Sequence, residues 1–417
     1  MAKTPWRRGT FRRRRKKVIG NMEGNSAMLL VAPPPAVRSG NILYPYRQNS
    51  NIYYLSGIED DSVALLIVKR KNNPPGETIV FIEPTDQTRS VWIGEHLSKE
   101  AVLNISEADR VEDRNLLEKY LPTFLSGIKT LYLQYTNIPL STPLTSELTL
   151  VKKIKERFPD ITIRNAHDII SPVRYIKEPQ EIEWIKKAIE ITGEAMMEAA
   201  RALKPGMLEL QVQGIIEGGF MRRGARRWGF PSIVATGKNA TILHYTENTS
   251  LIKARDAVLM DIGAEYNYYS ADITRVVPAG ERFTNRQKRV YKVVLEVQKA
   301  IIEEVKPGIT LTDLQKKTKE LLFKALKRMR LVKDEGDITK YYPHGIGHPL
   351  GMDAHDPGIA KHVLKPGCVI TIEPGLYIRE WGIGIRIEDD ILITKDGCKV
   401  LSSNIPKEIE DIESLRG

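Results

Sequence analysis

Two helix-length stretches end in the same tripeptide, and that duplication limits the fold more than any other feature of the 417 residues. EPQEIEWIKKAIEITGEAMMEAARA runs into LKPGMLELQVQ, and a helix over 285–305 runs into VKPGITLTDLQ, 102 residues further on. In the first, Pro179 suits an opening helical turn, and Ile182, Ile185, Ala188, Ile189 and Thr192 recur at helical spacing. A second helix follows each Lys-Pro-Gly, and strand-like sequence follows each pair, over 228–277 and 341–395. This order predicts two related halves about a pseudo-twofold axis.

Upstream the pattern differs. SAMLLVA (26–32), SVALLIV (62–68), ETIVFIE (77–83) and TLYLQY (130–135) are short apolar runs separated by charged, helix-like or turn-rich segments. That alternation predicts an α/β domain over 1–172, with the linker near SPVRYIKEPQ, punctuated by Pro172 and Pro179, and a second domain over 173–417. No apolar run approaches the ~18 residues of a membrane span. Cys368 and Cys398 make neither a disulfide framework nor a cysteine-rich metal site, and fit a reducing cytoplasm.

The net charge of +11 is concentrated. MAKTPWRRGTFRRRRKKVIG holds nine Lys and Arg and no acid, leaving +2 for everything else. Residues 1–17 therefore read as a solvated basic head on a first helix, ahead of a nucleic-acid arm or a targeting peptide.

The chemistry lies in the duplicated half. AVLMDIGAEYNYYSADITRVV (257–277) reads as a hairpin turning near Glu265–Tyr268, with Asp261 inside an apolar strand and Asp272 on the return. Buried carboxylates are costly unless paired or metal-bound, and a cation between two of them removes their repulsion. CVITIEPGLYIREWGIGIRIEDDILIT (368–394) reads as two strands with a loop around Arg379–Gly384. It puts Thr371 and Glu373 on one face, and Arg386, Glu388 and Asp390 on a polar face opposite Ile383, Ile385 and Ile387. Between the hairpins, PHGIGHPLGMDAHD places His344, His348 and His355 within twelve residues. Its glycines make a zinc-peptidase helix poor and the spacing fails a phosphate loop, so they read as letting the chain pass close to a metal site. The ligand set is then Asp261, Asp272, one histidine, Glu373 and Glu388. Four carboxylates and one imidazole favour Mn²⁺ or a similar octahedral ion, and two ions balance the charge. A metal pair of that kind holds a bridging hydroxide and polarises a carbonyl.

These segments resemble the metal-binding motifs of the creatinase/aminopeptidase P ("pita-bread") family. The resemblance rests on DIGAEY…SADITR, HGIGHPLGMDAHD, ITIEPGLYI and GIGIRIEDD. GFPSIVATGKNATILHYTEN (229–248) is similar to that family's first active-site histidine segment. YRQNSNIYYLSGIEDDSVALLIV and FIEPTDQTRSVWIGEHL are similar to the amino-terminal domain of Xaa-Pro aminopeptidases. The resemblance implies a pita-bread catalytic domain behind an amino-terminal α/β domain, and two divalent ions, Mn²⁺ before Co²⁺ or Zn²⁺. It assigns His348 as the histidine ligand, beside Asp261, Asp272, Glu373 and Glu388. Glu373 also takes the proton of the attacking water, His355 stabilises the oxyanion, and His244 helps hold the scissile amide and its leaving group. His344, Tyr377 and Arg386 contact substrate.

The activity so implied is removal of one residue preceding proline from peptides. Prolidase, which cleaves Xaa-Pro dipeptides, is the alternative, and a metal-free nucleic-acid- or histone-binding member of the fold is a remoter one, since those lose ligands that are all present here. The resemblance further implies a cytoplasmic homo-oligomer, dimer or tetramer, with Trp92 matching a residue that reaches a neighbouring subunit's site. Neither a membrane nor a nucleic-acid partner is expected. Two positions depart from the pattern: Asn51 stands where Asp is common, and Thr249 where an acid is common.

Overall fold

The computed structural model describes residues 6–71, 73–84, 90–92, 94, 97–136, 138–358 and 361–416. Residues 1–5 of the basic head, and 85–89, 93, 95 and 96 of the FIEPTDQTRSVWIGEHL segment, lie outside the described residues. The chain divides into two compact units, Met1–Val173 and Arg174–Gly417.

The first unit is a six-stranded sheet in the order Arg110–Asp113, Asn73–Ile82, Ala64–Arg70, Ser26–Val31, Thr130–Leu133, Thr162–Asn165. Ala64–Arg70 runs antiparallel to both neighbours, and the remaining pairings are parallel. All four apolar runs form strands here. Ala27, Leu29, Leu66, Phe81, Leu131 and Leu133 pack under helices Leu116–Leu125 and Ser146–Arg157. Met28, Leu30, Leu65, Ile67 and Val80, on the opposite face, are also buried. Burial on both faces explains why these strands read as continuous apolar runs instead of alternating.

Helix Thr10–Asn21 corrects the reading of a solvated head. Phe11, Arg14, Arg15 and Val18 are its buried face. The Arg14 guanidinium lies 4.1 Å from the Trp6 ring centre and 3.9 Å from that of Tyr54, and donates to the Tyr54 carbonyl at 3.2 Å. Arg15 donates to the carbonyls of Leu55, Ser106 and Glu107 at 2.7, 2.7 and 2.6 Å. Two of the nine cations are therefore core residues, tolerated because aromatic faces and carbonyls replace water. Arg7, Arg8, Arg12, Arg13, Lys16 and Lys17 remain exposed.

The second unit repeats a helix pair followed by strands. Pro179–Ala202 pairs with Glu209–Arg222, ahead of Ile233–Thr236, Ala257–Ile262 and Ile273–Pro278. Asn285–Glu304 pairs with Leu311–Arg328, ahead of Val369–Ile372 and Asp389–Ile393. The Lys-Pro-Gly glycines, Gly206 and Gly308, sit at φ 92° and 95°. A third, Gly367 at φ 92°, precedes a strand instead of a helix. Each of the three donates its N–H to a distant carbonyl: Ile252, Leu364 and Ile393. The tripeptide thus encodes a left-handed turn, and the order of helices and strands is what carries the duplication.

The segment 257–278 is a hairpin that breaks into four strands in two sheets, Ala257–Ile262, Ala264–Tyr266, Tyr269–Ser270 and Ile273–Pro278, closed by Asn267 and Tyr268 at φ 49° and 72°. The second carboxylate segment likewise differs from the expected two strands. It forms four, Val369–Ile372, Gly375–Ile378, Ile383–Arg386 and Asp389–Ile393, in two sheets. Ile372 pairs with Asp389 and Gly375 with Arg386, so one register runs through the break and sets Glu373 opposite Glu388. Pro374 lacks an amide donor, so opposite Ile387 only one bond of the pair forms, Ile387 N donating to the Pro374 carbonyl at 3.3 Å.

Candidate metal centre

Asp261 lies within Ala257–Ile262, opposite Ile233 on one side and Thr274 on the other. Asp272 stands just before Ile273–Pro278, and Glu373 and Glu388 occupy the break in the second hairpin. The histidine segment runs alongside that hairpin: Thr371 N donates to His348 O at 2.9 Å, and Glu373 N to Ile346 O at 2.8 Å. A Cβ on Gly347 would stand 2.0 Å from the Thr371 carbonyl. The close approach that demands glycine is therefore to the neighbouring backbone, which is how His348 comes level with Glu373.

His348 Nε2 is 3.5 Å from Asp272 Oδ2 and 3.6 Å from Glu373 Oε1. Asp272, His348 and Glu388 offer donor atoms within 4.8 Å of one another. Asp261 and Glu373 line the same cavity, of about 750 Å³. The His348 Nδ1 faces the Pro349 carbonyl at 3.1 Å, which leaves Nε2 as a lone-pair donor toward the carboxylates. Burial, then the neighbouring His355, pulls the His348 imidazole down to about 4, so it is neutral at neutral pH.

Electrostatically the site calls for cations. Burial and the neighbouring Glu388 and Asp261 push the Asp272 carboxyl well above its ordinary range. Burial with Glu373 and Asp261 does the same to Glu388, and Glu373 is raised to about 7, chiefly by burial. Asp261 Oδ1 is buried with no hydrogen-bond partner. Clustered, desolvated, all-oxygen acceptors with one neutral imidazole fit hard divalent ions.

Around this cluster the other expected residues fall as follows. Arg386 donates to Asp261 Oδ2 at 2.5 Å, to the Tyr377 hydroxyl at 2.8 Å and to Thr274 Oγ1 at 3.1 Å. His344 Nε2 meets the same Tyr377 hydroxyl at 2.9 Å. His355 is exposed in the cavity wall, its ring 4.3 Å from that of His348. His244, also exposed, reaches the cavity from the loop after Asn239–Thr241.

Three contributors escaped the sequence reading. Thr274 donates to Glu388 Oε2 at 2.6 Å, and its position opposite Asp261 in the first hairpin was the available signal. Glu209, fully buried, binds the ends of the His244 loop: Oε1 accepts from Thr236 N (2.8 Å), Thr236 Oγ1 (2.9 Å) and Asn239 Nδ2 (3.2 Å). Its Oε2 accepts from the Tyr245 hydroxyl and Ser250 N, both at 2.9 Å. Arg174, Lys177 and Asp356 form a buried ion cluster behind His355. Of the departures, Asn51 is buried in the first unit and donates to Gln134 Oε1 at 3.0 Å, and Thr249 N donates to the Tyr245 hydroxyl at 3.2 Å.

Residues 183–395, which hold Asp261, Asp272, His348, Glu373 and Glu388, match the model of metallopeptidase family M24. The chain belongs to the M24 metallopeptidases. Residues 11–132 match the aminopeptidase P N-terminal domain, so this M24 member also carries that family's accessory domain. It is 32% identical to the Xaa-Pro aminopeptidase of Escherichia coli, covering 98% of this chain and 97% of that protein. It is 35% identical to the Xaa-Pro aminopeptidase of Haemophilus influenzae, covering 100% and 98%. Its fold matches E. coli aminopeptidase P with the inhibitor Pro-Leu at a TM-score of 0.89, with 31% identity and 99% of each chain covered. The zinc-substituted form of that enzyme in complex with product matches at 0.90, again with 31% identity and 99% of each chain covered. As an M24 metallopeptidase of the pita-bread fold, the chain has a donor set for divalent metal ions.

Proposed function

We propose that this protein is a metal-dependent Xaa-Pro aminopeptidase, removing the residue that precedes proline at a peptide's amino terminus. The carrying observation is the cluster of Asp261, Asp272, His348, Glu373 and Glu388 on one cavity, in a chain collinear with Xaa-Pro aminopeptidases over 98% of its length. Its oxygen-rich character favours Mn²⁺ over softer ions. Two divalent ions held there supply the Lewis acid for the carbonyl and make water nucleophilic at neutral pH.

The residues divide the remaining work. Glu373, 3.6 Å from His348 Nε2 on the cavity wall, takes the proton of the attacking water. His355, exposed and edge-on to His348, stabilises the tetrahedral oxyanion. His244, on its own loop, serves the leaving nitrogen, which before proline is tertiary and begins without a proton. Tyr377 ties His344 to Arg386 and so fixes the wall that receives the peptide. Burial and Arg386 hold the His344 imidazole at about 3, so it offers a hydrogen bond and no charge.

We assign the chemistry to residues 173–417 and place the protein in the cytoplasm, in keeping with two free cysteines. No helix among the described residues is long and apolar enough to cross a membrane. A homo-oligomer accounts for Trp92, 83% exposed in the first unit. The deciding experiment compares an Xaa-Pro-Xaa tripeptide with an Xaa-Pro dipeptide, using metal-depleted and Mn²⁺-loaded protein. Tripeptide turnover on Mn²⁺ addition is expected. Dipeptide cleavage without tripeptide turnover would make the protein a prolidase.

A further inference from the structure

Directly behind the histidine loop lies a charged cluster that the reaction does not use. Arg174 Nη2 is 2.6 Å from Asp356 Oδ1, Lys177 Nζ is 3.1 Å from Asp356 Oδ2, and all three side chains are 1–2% exposed. The same guanidinium nitrogen is 2.7 Å from Asp353 Oδ2, whose side chain is 39% exposed and lines the cavity. Two cations thus meet two carboxylates. Buried ion pairs of this kind seldom stabilise a fold more than apolar residues of equal volume would, so a specific placement is the better explanation for them.

What they place is His355. Asp356 Oδ1 also accepts from Asp353 N at 3.2 Å, closing the four residues 353–356 into a turn that contains His355. Asp356 N donates to Pro349 O at 3.0 Å. The turn is packed against Gly351, where a Cβ would stand 2.7 Å from the Asp356 carboxylate. On the other side, Lys177 N donates to Gly367 O at 2.9 Å, and Gly367 N to Ile393 O at 2.9 Å. Ile393 ends the strand that begins just after Glu388. Lys177 therefore stands on the frame that carries Glu373 and Glu388, and with Arg174 it reaches the turn that carries His355.

We infer that the Arg174–Asp356–Lys177 cluster is a positioning element for the reaction: it fixes the His355 imidazole relative to His348, Glu373 and Glu388. These three residues touch neither substrate nor metal. They act by holding one exposed ring within the tolerance that transition-state hydrogen bonding requires, where a displacement of about 1 Å costs on the order of 100-fold in rate.

Two arms test this on the full chain. In Zn²⁺-loaded protein labelled with ¹³C at histidine, the His355 cross-peak is assigned by its loss in His355→Ala. Lys177→Met and the isosteric Asp356→Asn should each move it while leaving that of His167 in place. An unmoved His355 cross-peak in the folded variants overturns the inference, and this arm needs no turnover. The kinetic arm rests on the aminopeptidase reading. With an Xaa-Pro-Xaa tripeptide, Lys177→Met should lower kcat about 100-fold with KM within about twofold. In a His355→Ala background the same change should cost less than about threefold, because the ring it positions is gone. A full, additive loss in that background would make the cluster merely structural. Absence of turnover in the unaltered protein would count against the aminopeptidase reading alone and leave the cross-peak to decide the positioning. If Lys177→Met does not fold, Asp356→Asn carries both arms.

Discussion

Replacing Glu209 by glutamine should destabilise the second unit by about 3 kcal/mol, although it removes no atom from the cavity wall. Glu209 is fully buried and accepts from five donors, three reaching Oε1 and three Oε2, with Asn239 Nδ2 shared between them. A glutamine oxygen can take over the three from Thr236 and Asn239. Its amide nitrogen then faces the Tyr245 hydroxyl, which can rotate to accept, and Ser250 N, which cannot. One buried donor–donor contact costs about 1–3 kcal/mol. The surviving bonds also fall from charge-assisted to neutral strength, and the favourable placement of a carboxylate at the start of Glu209–Arg222 is lost. For a unit spanning Arg174–Gly417, each kcal/mol lowers Tm by roughly 2–4 °C, so a drop of about 6–12 °C is expected by differential scanning calorimetry of the Mn²⁺-loaded protein. A shift below about 2 °C would refute the claim that the carboxylate, as opposed to the shape of the residue, holds the His244 loop.

Two further outcomes follow from the charge distribution. With metal removed, Glu373 has a folded-state value of about 7 against an ordinary 4.5, and Asp272 and Glu388 are raised as well. A carboxyl raised on folding holds more protons in the native state, so stability falls as pH rises from about 4.5 to about 7. Chelated protein should lose stability to urea across that window and Mn²⁺ should restore it; a flat profile would mean that the carboxylates are not crowded. In the first unit, Arg14→Met forfeits two cation–π contacts and should cost about 2 kcal/mol, while Arg12→Ala, exposed on the same helix, should stay within about 0.5 kcal/mol. Equal effects in urea denaturation would show that Arg14 behaves as a surface charge.

Much of this was legible because the signals were local. Short apolar runs became strands, and acids inside apolar sequence converged on one cavity, since burial without compensation is too costly to be accidental. What was misread depended on partners distant in the chain. A run of four arginines looks solvated, yet Phe11, Arg14, Arg15 and Val18 follow the i, i+3, i+4, i+7 spacing of a buried face, and that periodicity outweighed their charge. Both carboxylate hairpins split into four strands, the first with no proline at its break, and a simple alternation of faces does not reveal that change of sheet. Glu209 carried no local signal, because its five donors come from a loop 27 to 41 residues away.

The break that sets Glu373 opposite Glu388 also bears on the order in which the molecule comes together. Asp272 and Asp390, Thr274 and Glu388, and Asp261 and Arg386 meet across 118, 114 and 125 residues of chain. Contacts so distant form late, after each half has paid the entropy of its own local structure. Neither half alone assembles the donor set, so a ribosome-bound chain ending before the second hairpin has little hold on a divalent ion. Repulsion among the carboxylates arises only as the halves dock, and the cation takes effect at that same step. Ion uptake during refolding should therefore coincide with final docking and lag behind the growth of helix.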